Sequence, residues 1–175
     1  MQQQRTFGTF EQVVLPHLDA AYNLARWLLR REQDAEDVVQ ESFLRAFNAF
    51  GQFQGGEPRS WLLTIVRNAC YTWLTRNRER APMASFDEAL HDVATEASNP
   101  EIIVQQRGDR DAVRRAIEEL PVEFREVLIL REFEGLSYQQ IASIADLPVG
   151  TVMSRLARAR QRLERALAPS ALKEA

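Results

Sequence analysis

The chain has 175 residues, a formal net charge of −3 and a hydrophobic fraction of 45%, which allows one domain or two small ones and excludes wholesale disorder. No run reaches the ~18–20 consecutive apolar residues of a membrane span. The opening MQQQRTFGTF has neither the charged lead nor the apolar stretch of a signal peptide, so a soluble cytoplasmic protein with no membrane contact of its own is expected.

Apolar residues recur with a helical period throughout, and no strand-like alternation persists. TFEQ at 9–12 is a capping box, and the helix it starts is expected to break at Pro16 and resume through LDAAYNLARWLLRR. A second helix begins near Asp34 and runs to Gly51, a left-handed stop by expectation. After the loop GQFQGGEP, Pro58 suits the first turn of a third helix that continues to Arg80 and packs the single cysteine, Cys70, into the core. Residues 81–100 are polar and acidic with weak periodicity and read as a flexible linker. Four helical segments follow. One ends before Pro121, one stops at Gly135, SYQQIASIA is short, and the last is rich in arginine. Helices this short need neighbours to bury their apolar faces. The expected fold is all-α, with two small helical bundles (1–80 and 101–175) joined by the linker.

The charge is unevenly placed. From Leu147 onward there are six basic residues against two acidic, so an acidic total does not exclude nucleic acid. Ser137 and Gln140 form a capping box, DLP turns the chain, and Pro148 can open the next helix. A short helix, a tight turn and a longer helix make a helix-turn-helix. At 100° per residue, Val152, Leu156, Ala159 and Leu163 form the core stripe of the last helix. Thr151, Met153, Ser154, Ala157 and Arg158 lie on its exposed first turns as candidate base readers, with Arg155 beside the core edge. Arg162 and Arg165 lie further along and suit phosphates. With about four arginines on phosphates, the log–log salt slope would be only about −3 to −4.

In the amino-terminal half, Asp34, Glu36, Asp37 and Glu41 crowd the first turns of the second helix. Capping and the helix dipole explain one or two of them, whereas all four with Gln40 describe an acidic docking face. In the third helix Arg59, Arg67, Arg76, Arg78 and Arg80 are interleaved with Trp61, Tyr71 and Trp73. Cations tracking a backbone and rings stacking on unpaired bases are the chemistry of single-stranded nucleic acid. Each ring taken singly reads equally as core.

The stretches DAEDVVQESFLRAF, FQGGEPRSWLLTIVRNACYTWL and LPVEFREVLILREFEGLSYQQIASIADLPVGTVMSRLARARQRL together resemble a bacterial extracytoplasmic-function (ECF) sigma factor. The resemblance implies that Asp34, Glu36, Asp37, Gln40 and Glu41 contact the β′ clamp helices of core RNA polymerase, with the β subunit a further partner. It implies recognition and melting of the minus-ten element, as single-stranded DNA, by the loop at Phe53 and by Arg59, Ser60, Trp61, Arg67, Asn68 and Tyr71. It implies double-stranded minus-thirty-five recognition by the helix-turn-helix, through Thr151, Met153, Ser154, Arg155, Ala157, Arg158 and Arg162. An anti-sigma factor is an implied partner. Some relatives have a basic residue where this chain has Met153 and an aromatic where it has Ala157, so those base contacts do not transfer.

No enzyme is expected, and no metal or cofactor. Glu88-x-x-His91 occurs once and in the linker, whereas di-iron bundles need two such pairs and further glutamates. QGG lacks the Lys-Ser/Thr of a phosphate loop. The alternative function is a DNA-binding regulator whose first domain senses or dimerises.

Overall fold

A computed structural model of the protein describes residues 10–53, 55–78 and 100–168, with side chains in the last stretch described from 108. The capping threonine at position 9 and the linker at 81–99 lie outside the described residues. Among the described residues the regular structure is entirely helical. A 3-10 turn at Leu15–His17 carries the Pro16 interruption and leads into α1 (Leu18–Leu29), α2 (Glu32–Ala49) and α3 (Pro58–Asn77). The second group is α4 (Pro100–Glu118), α5 (Val122–Leu128), α6 (Tyr138–Ala145) and α7 (Val149–Leu167).

Helix α1 is the hub of the first group. Ala21, Leu24, Ala25, Leu28 and Leu29 are buried at helical spacing, and α1 packs on both α2 and α3. Each fully buried leucine is worth roughly 1.5–3 kcal/mol over its exposed state. Helix α3 starts on Pro58 after the extended Glu57 and buries Leu62, Leu63, Val66, Ala69 and Cys70. The expected left-handed stop at Gly51 is not present. Helix α2 instead tightens into a 3-10 turn over Phe50–Gln52, and the left-handed glycines of this loop are Gly55 and Gly56, at φ 90° and 97°. The apolar Phe50 ring holds the chain in the tighter turn by packing against Phe10, Phe53 and Trp61.

Helix α5 continues without a break into a π turn, Ile129–Phe133, in which the Glu134 N–H reaches back to the Ile129 carbonyl. From Arg125 to Leu130 every residue is buried, because this segment packs on α7 on one side and on α1 on the other. Helix α6 also packs on α3. The two groups therefore share one contiguous apolar core, running from Leu24 and Leu62 through Leu130 to Leu156.

Candidate nucleic-acid interface

The helix-turn-helix forms as its sequence dictates. The Ser137 hydroxyl accepts the Gln140 N–H while the Gln140 side chain accepts the Ser137 N–H, which fixes the first turn of α6. Asp146 closes α6 in the left-handed region at φ 54°, and extended Pro148 starts α7. Val152, Leu156 and Ala159 are buried and Leu163 is half-buried, so the opposite side faces solvent. Met153, Ser154, Ala157, Arg158, Arg162 and Arg165 are exposed, and Thr151 and Arg155 are half-buried at the edges. Val149 joins Met153 as an exposed apolar side chain on the first turns, at 38% and 52%. The Arg162 guanidinium lies over the Phe124 ring, 5.1 Å from its centre. Arg160 pairs with Glu132 of the π turn at 2.8 Å, an acid from outside the helix that its own sequence does not announce.

On α2, Glu36, Asp37, Gln40 and Glu41 are exposed. Asp34 differs, being half-buried with its Oδ2 enclosed and without a hydrogen-bond partner. Arg45 pairs with Glu41 at 2.5 Å. One turn on, Leu44 stands 63% exposed and extends the acidic row with an apolar side chain.

The polar side chains of α3 meet the second group. Arg67 Nε donates to Glu126 Oε1 at 2.5 Å, and the Tyr71 hydroxyl donates to Glu126 Oε2 at 2.7 Å. The Arg67 guanidinium also lies over the Tyr71 ring, 3.8 Å from its centre. Arg59 Nη2 donates to Glu134 Oε2 at 2.6 Å and to the Glu134 carbonyl, and Asn23 donates to Glu134 Oε1 at 3.0 Å. Trp27 and Phe133 add a ring contact at 5.5 Å. Since Arg59 meets Glu134 and Tyr71 meets Glu126, α3 and the α5–π segment run antiparallel.

The π turn makes this pairing possible. Eight residues of uninterrupted α-helix would put Glu134 about 80° round from Glu126. One extra residue absorbed by the π turn reduces that to about 20°, so both carboxylates point at α3.

Glu126 is wholly buried, and its partners come from the other group. Burial opposes the charge on Arg67, but the hydrogen bond and charge of Glu126, with help from Tyr71, outweigh it and raise the Arg67 pKa. Burial and then the Glu126 charge hold the Tyr71 phenol well above its ordinary value. The same two causes push the Cys70 thiol up to about 12. Nearby, Arg125 is buried and donates to the Glu118 and Leu120 carbonyls. Its pKa is lowered to about 10, by burial first and by Arg30 second.

Trp61 is half-buried, with its ring 5.1 Å from that of Phe53. Together with Ser60 these rings line one side of an open cleft of about 600 Å³, whose other side is Gln139, Gln140 and Ser143 of α6. Gln140 also donates to the Glu57 carboxylate across the mouth. Asn68 is exposed, and Trp73 packs half-buried against the core. The sequence reading missed Glu126 and Glu134, which lie 55 and 75 positions from their partners Tyr71 and Arg59. Among the described residues no cluster of three His, Cys, Asp or Glu could hold a metal ion, and no helix is long and apolar enough to cross a membrane.

The two groups of helices coincide with two family models. Sigma-70 region 2 matches residues 13–80, and Sigma-70 region 4 matches residues 110–163. The fold and its exposed helix-turn-helix therefore define a sigma-70-type transcription factor. The ECF RNA polymerase sigma factor SigE of Mycolicibacterium smegmatis is 35% identical over 165 residues, covering 94% of this chain, which spans 64% of that relative's length. The RNA polymerase sigma-H factor of Pseudomonas aeruginosa is 35% identical over 171 residues, covering 91% of this chain and 86% of the relative. The sigma factor RpoE, solved in complex with the anti-sigma factor NepR from Bartonella quintana, superposes with a TM-score of 0.73 at 30% identity, covering 90% of this chain and 96% of that one. The chain belongs to the ECF sigma factors, which support promoter-specific transcription initiation by RNA polymerase.

Proposed function

We propose that this chain docks on core RNA polymerase through α2, reads the minus-thirty-five element with α7, and recognises and melts the minus-ten element with α3 and the loop before it. The observation that carries this reading is the exposed start of α7 on a capped, core-anchored helix-turn-helix. Arg158 suits a base edge, with Thr151 and Ser154 beside it. Val149, Met153 and Ala157 offer apolar surface to a thymine methyl. Arg155, Arg162 and Arg165 flank them toward phosphates. For docking, Glu36, Asp37, Gln40 and Glu41 present acceptors to a basic clamp surface, with Asp34 at the helix start and Leu44 as an apolar anchor.

For the downstream element, Phe53 and Trp61 supply rings, Ser60 and Asn68 supply hydrogen bonds, and Arg59, Arg67 and Tyr71 supply donors for the strand. Extruding a base requires a few kcal/mol of unstacking, which the rings can offset. The domain assignment follows: 1–80 for docking and melting, 81–100 as linker, 101–175 for upstream recognition. The solved relative held by NepR supports an anti-sigma partner, and a role at promoter DNA implies a cytoplasmic location.

The test is reconstitution. Added to core polymerase and a randomised promoter library, the chain should direct initiation from a subset sharing two spaced elements. An inactive mixture, together with tight binding of the chain alone to a palindromic site, would make it a regulator instead. Asp37→Lys with Glu41→Lys should weaken core binding in a pull-down, and unchanged retention would remove α2 from the docking face.

A further inference from the structure

We infer that the carboxyl half of this chain is a built-in competitor of single-stranded promoter DNA, covering in the free protein the α3 face that captures the unpaired strand. The inference rests on the assignment of α3 to the minus-ten element.

The competition is residue for residue. Arg59, Arg67 and Tyr71, the donors proposed for the strand, are bonded to Glu134 and Glu126. A carboxylate and a phosphate offer an arginine fork the same anionic acceptors, so the two glutamates stand where phosphate oxygens would. The π turn brings both onto one side, matched to donors along an antiparallel α3. Helix α6 covers a second element of the site, because Gln139, Gln140 and Ser143 wall the cleft that holds Phe53, Ser60 and Trp61.

Glu126 makes this an arrangement of the free chain with a defined register. Its carboxylate is fully buried and its charge is balanced from across the interface by Arg67. A buried carboxylate without that balance is strongly unfavourable, and a balanced one adds specificity more than strength. The contact therefore fixes how the halves meet while remaining weak enough to be displaced. It is also selective. Asp37 and Glu41 on α2, and Met153 and Arg158 on α7, are exposed while the α3 face is covered. Polymerase docking and upstream recognition can thus precede uncovering, and capture of the unpaired strand comes last.

The experiment compares the full chain with the double variant Glu126→Gln/Glu134→Gln, two residues with no role in the proposed docking or DNA contacts. Two readouts are small-angle scattering and fluorescence anisotropy with a short labelled single-stranded DNA of randomised sequence. The variant should expand, and it should bind the DNA about tenfold more tightly if roughly nine-tenths of the free parent is closed. Equal size and equal binding would overturn the inference. Expansion without tighter binding also overturns it. In that case an Arg67→Ala holoenzyme that still melts promoters refutes the α3 assignment itself, whereas one that fails leaves the assignment standing without the competition.

A lock guards against a variant that misfolds. Asn23→Cys/Glu134→Cys joined by a short bis-maleimide spans a pair in direct contact, while the buried Cys70 stays unlabelled. The locked chain should still bind core polymerase and give no permanganate-reactive bubble. Melting by the locked chain, or loss of core binding, would refute the order of events.

Discussion

Helices α3 and α7 both carry arginines assigned to DNA, but they hold them in opposite conditions. On α7 the guanidiniums of Arg158, Arg162 and Arg165 extend from a helix whose buried stripe anchors it to the core, and they are exposed. On α3 the side chains of Arg59 and Arg67 are only 27% and 17% exposed and end on carboxylates of the other half. The difference teaches where regulation can sit. A double-stranded reader needs only presentation, since its target is always available. A strand-capturing face needs cover, because exposed arginines beside aromatic rings bind any unpaired nucleic acid.

The largest effect on folding stability expected from breaking this contrast is at Glu126. Glu126→Ala breaks the contact that holds the halves closed, and with about nine-tenths of the free chain closed it should destabilise the native chain by about 1.4 kcal/mol in denaturant unfolding. A loss no larger than that of a surface pair would mean that the interface is not part of the native state. On α7, Arg158→Ala should weaken upstream promoter binding by ~1–3 kcal/mol and relax selectivity at one base pair. Arg162→Ala should act evenly on all sequences and reduce the salt slope by about one. A change of selectivity in the second variant and not the first would exchange their roles.

Alkaline pH tests the buried side of the comparison. The folded chain holds the Cys70 thiol protonated up to about 12 and the Tyr71 phenol protonated above its ordinary range. An unfolded chain releases these protons earlier, so the native state binds more protons and loses stability as pH rises. The contribution is complete below the ordinary thiol value near 9 and fades toward 12, with a slope of at most about 1.4 kcal/mol per pH unit for each group. Unfolding free energies at pH 8 and 10.5 should differ in that direction, and Cys70→Ala should shrink the difference. The smallest effect belongs to Glu132→Ala. Its pair with Arg160 is about half exposed on both sides, and its loss should change stability by under ~1 kcal/mol.

Local chemistry made much of the fold readable from sequence. The Ser137–Gln140 box, the start at Pro58, the buried Cys70 and the phase of α7 each depend on residues within a few positions of one another. The interface did not announce itself, because Arg59 and Arg67 meet acids that a linker separates from them in the chain. Nor does the sequence of α7 announce the partner of Arg160, because Glu132 lies 28 positions away in the π turn. A π turn has no sequence signature comparable to a cap, so REFEG read as ordinary helix and its glutamates had no assigned direction. At Gly51 the rings around Phe50 decided the backbone, and a glycine at a helix end proved an insufficient guide.

The π turn at Ile129–Phe133 has a consequence for how the chain tolerates length changes. It behaves as a phase corrector, letting one residue enter the helix without moving what lies downstream. Deleting a single residue there would give a more regular α-helix and leave Glu134, and everything wired to it, facing Arg59, whereas a second added residue would turn it about 100° away. Such a shortened chain would gain in local geometry and keep its long-range fit. The irregularity that looks like a flaw in one helix is thus the spacer that keeps two halves of the molecule in step.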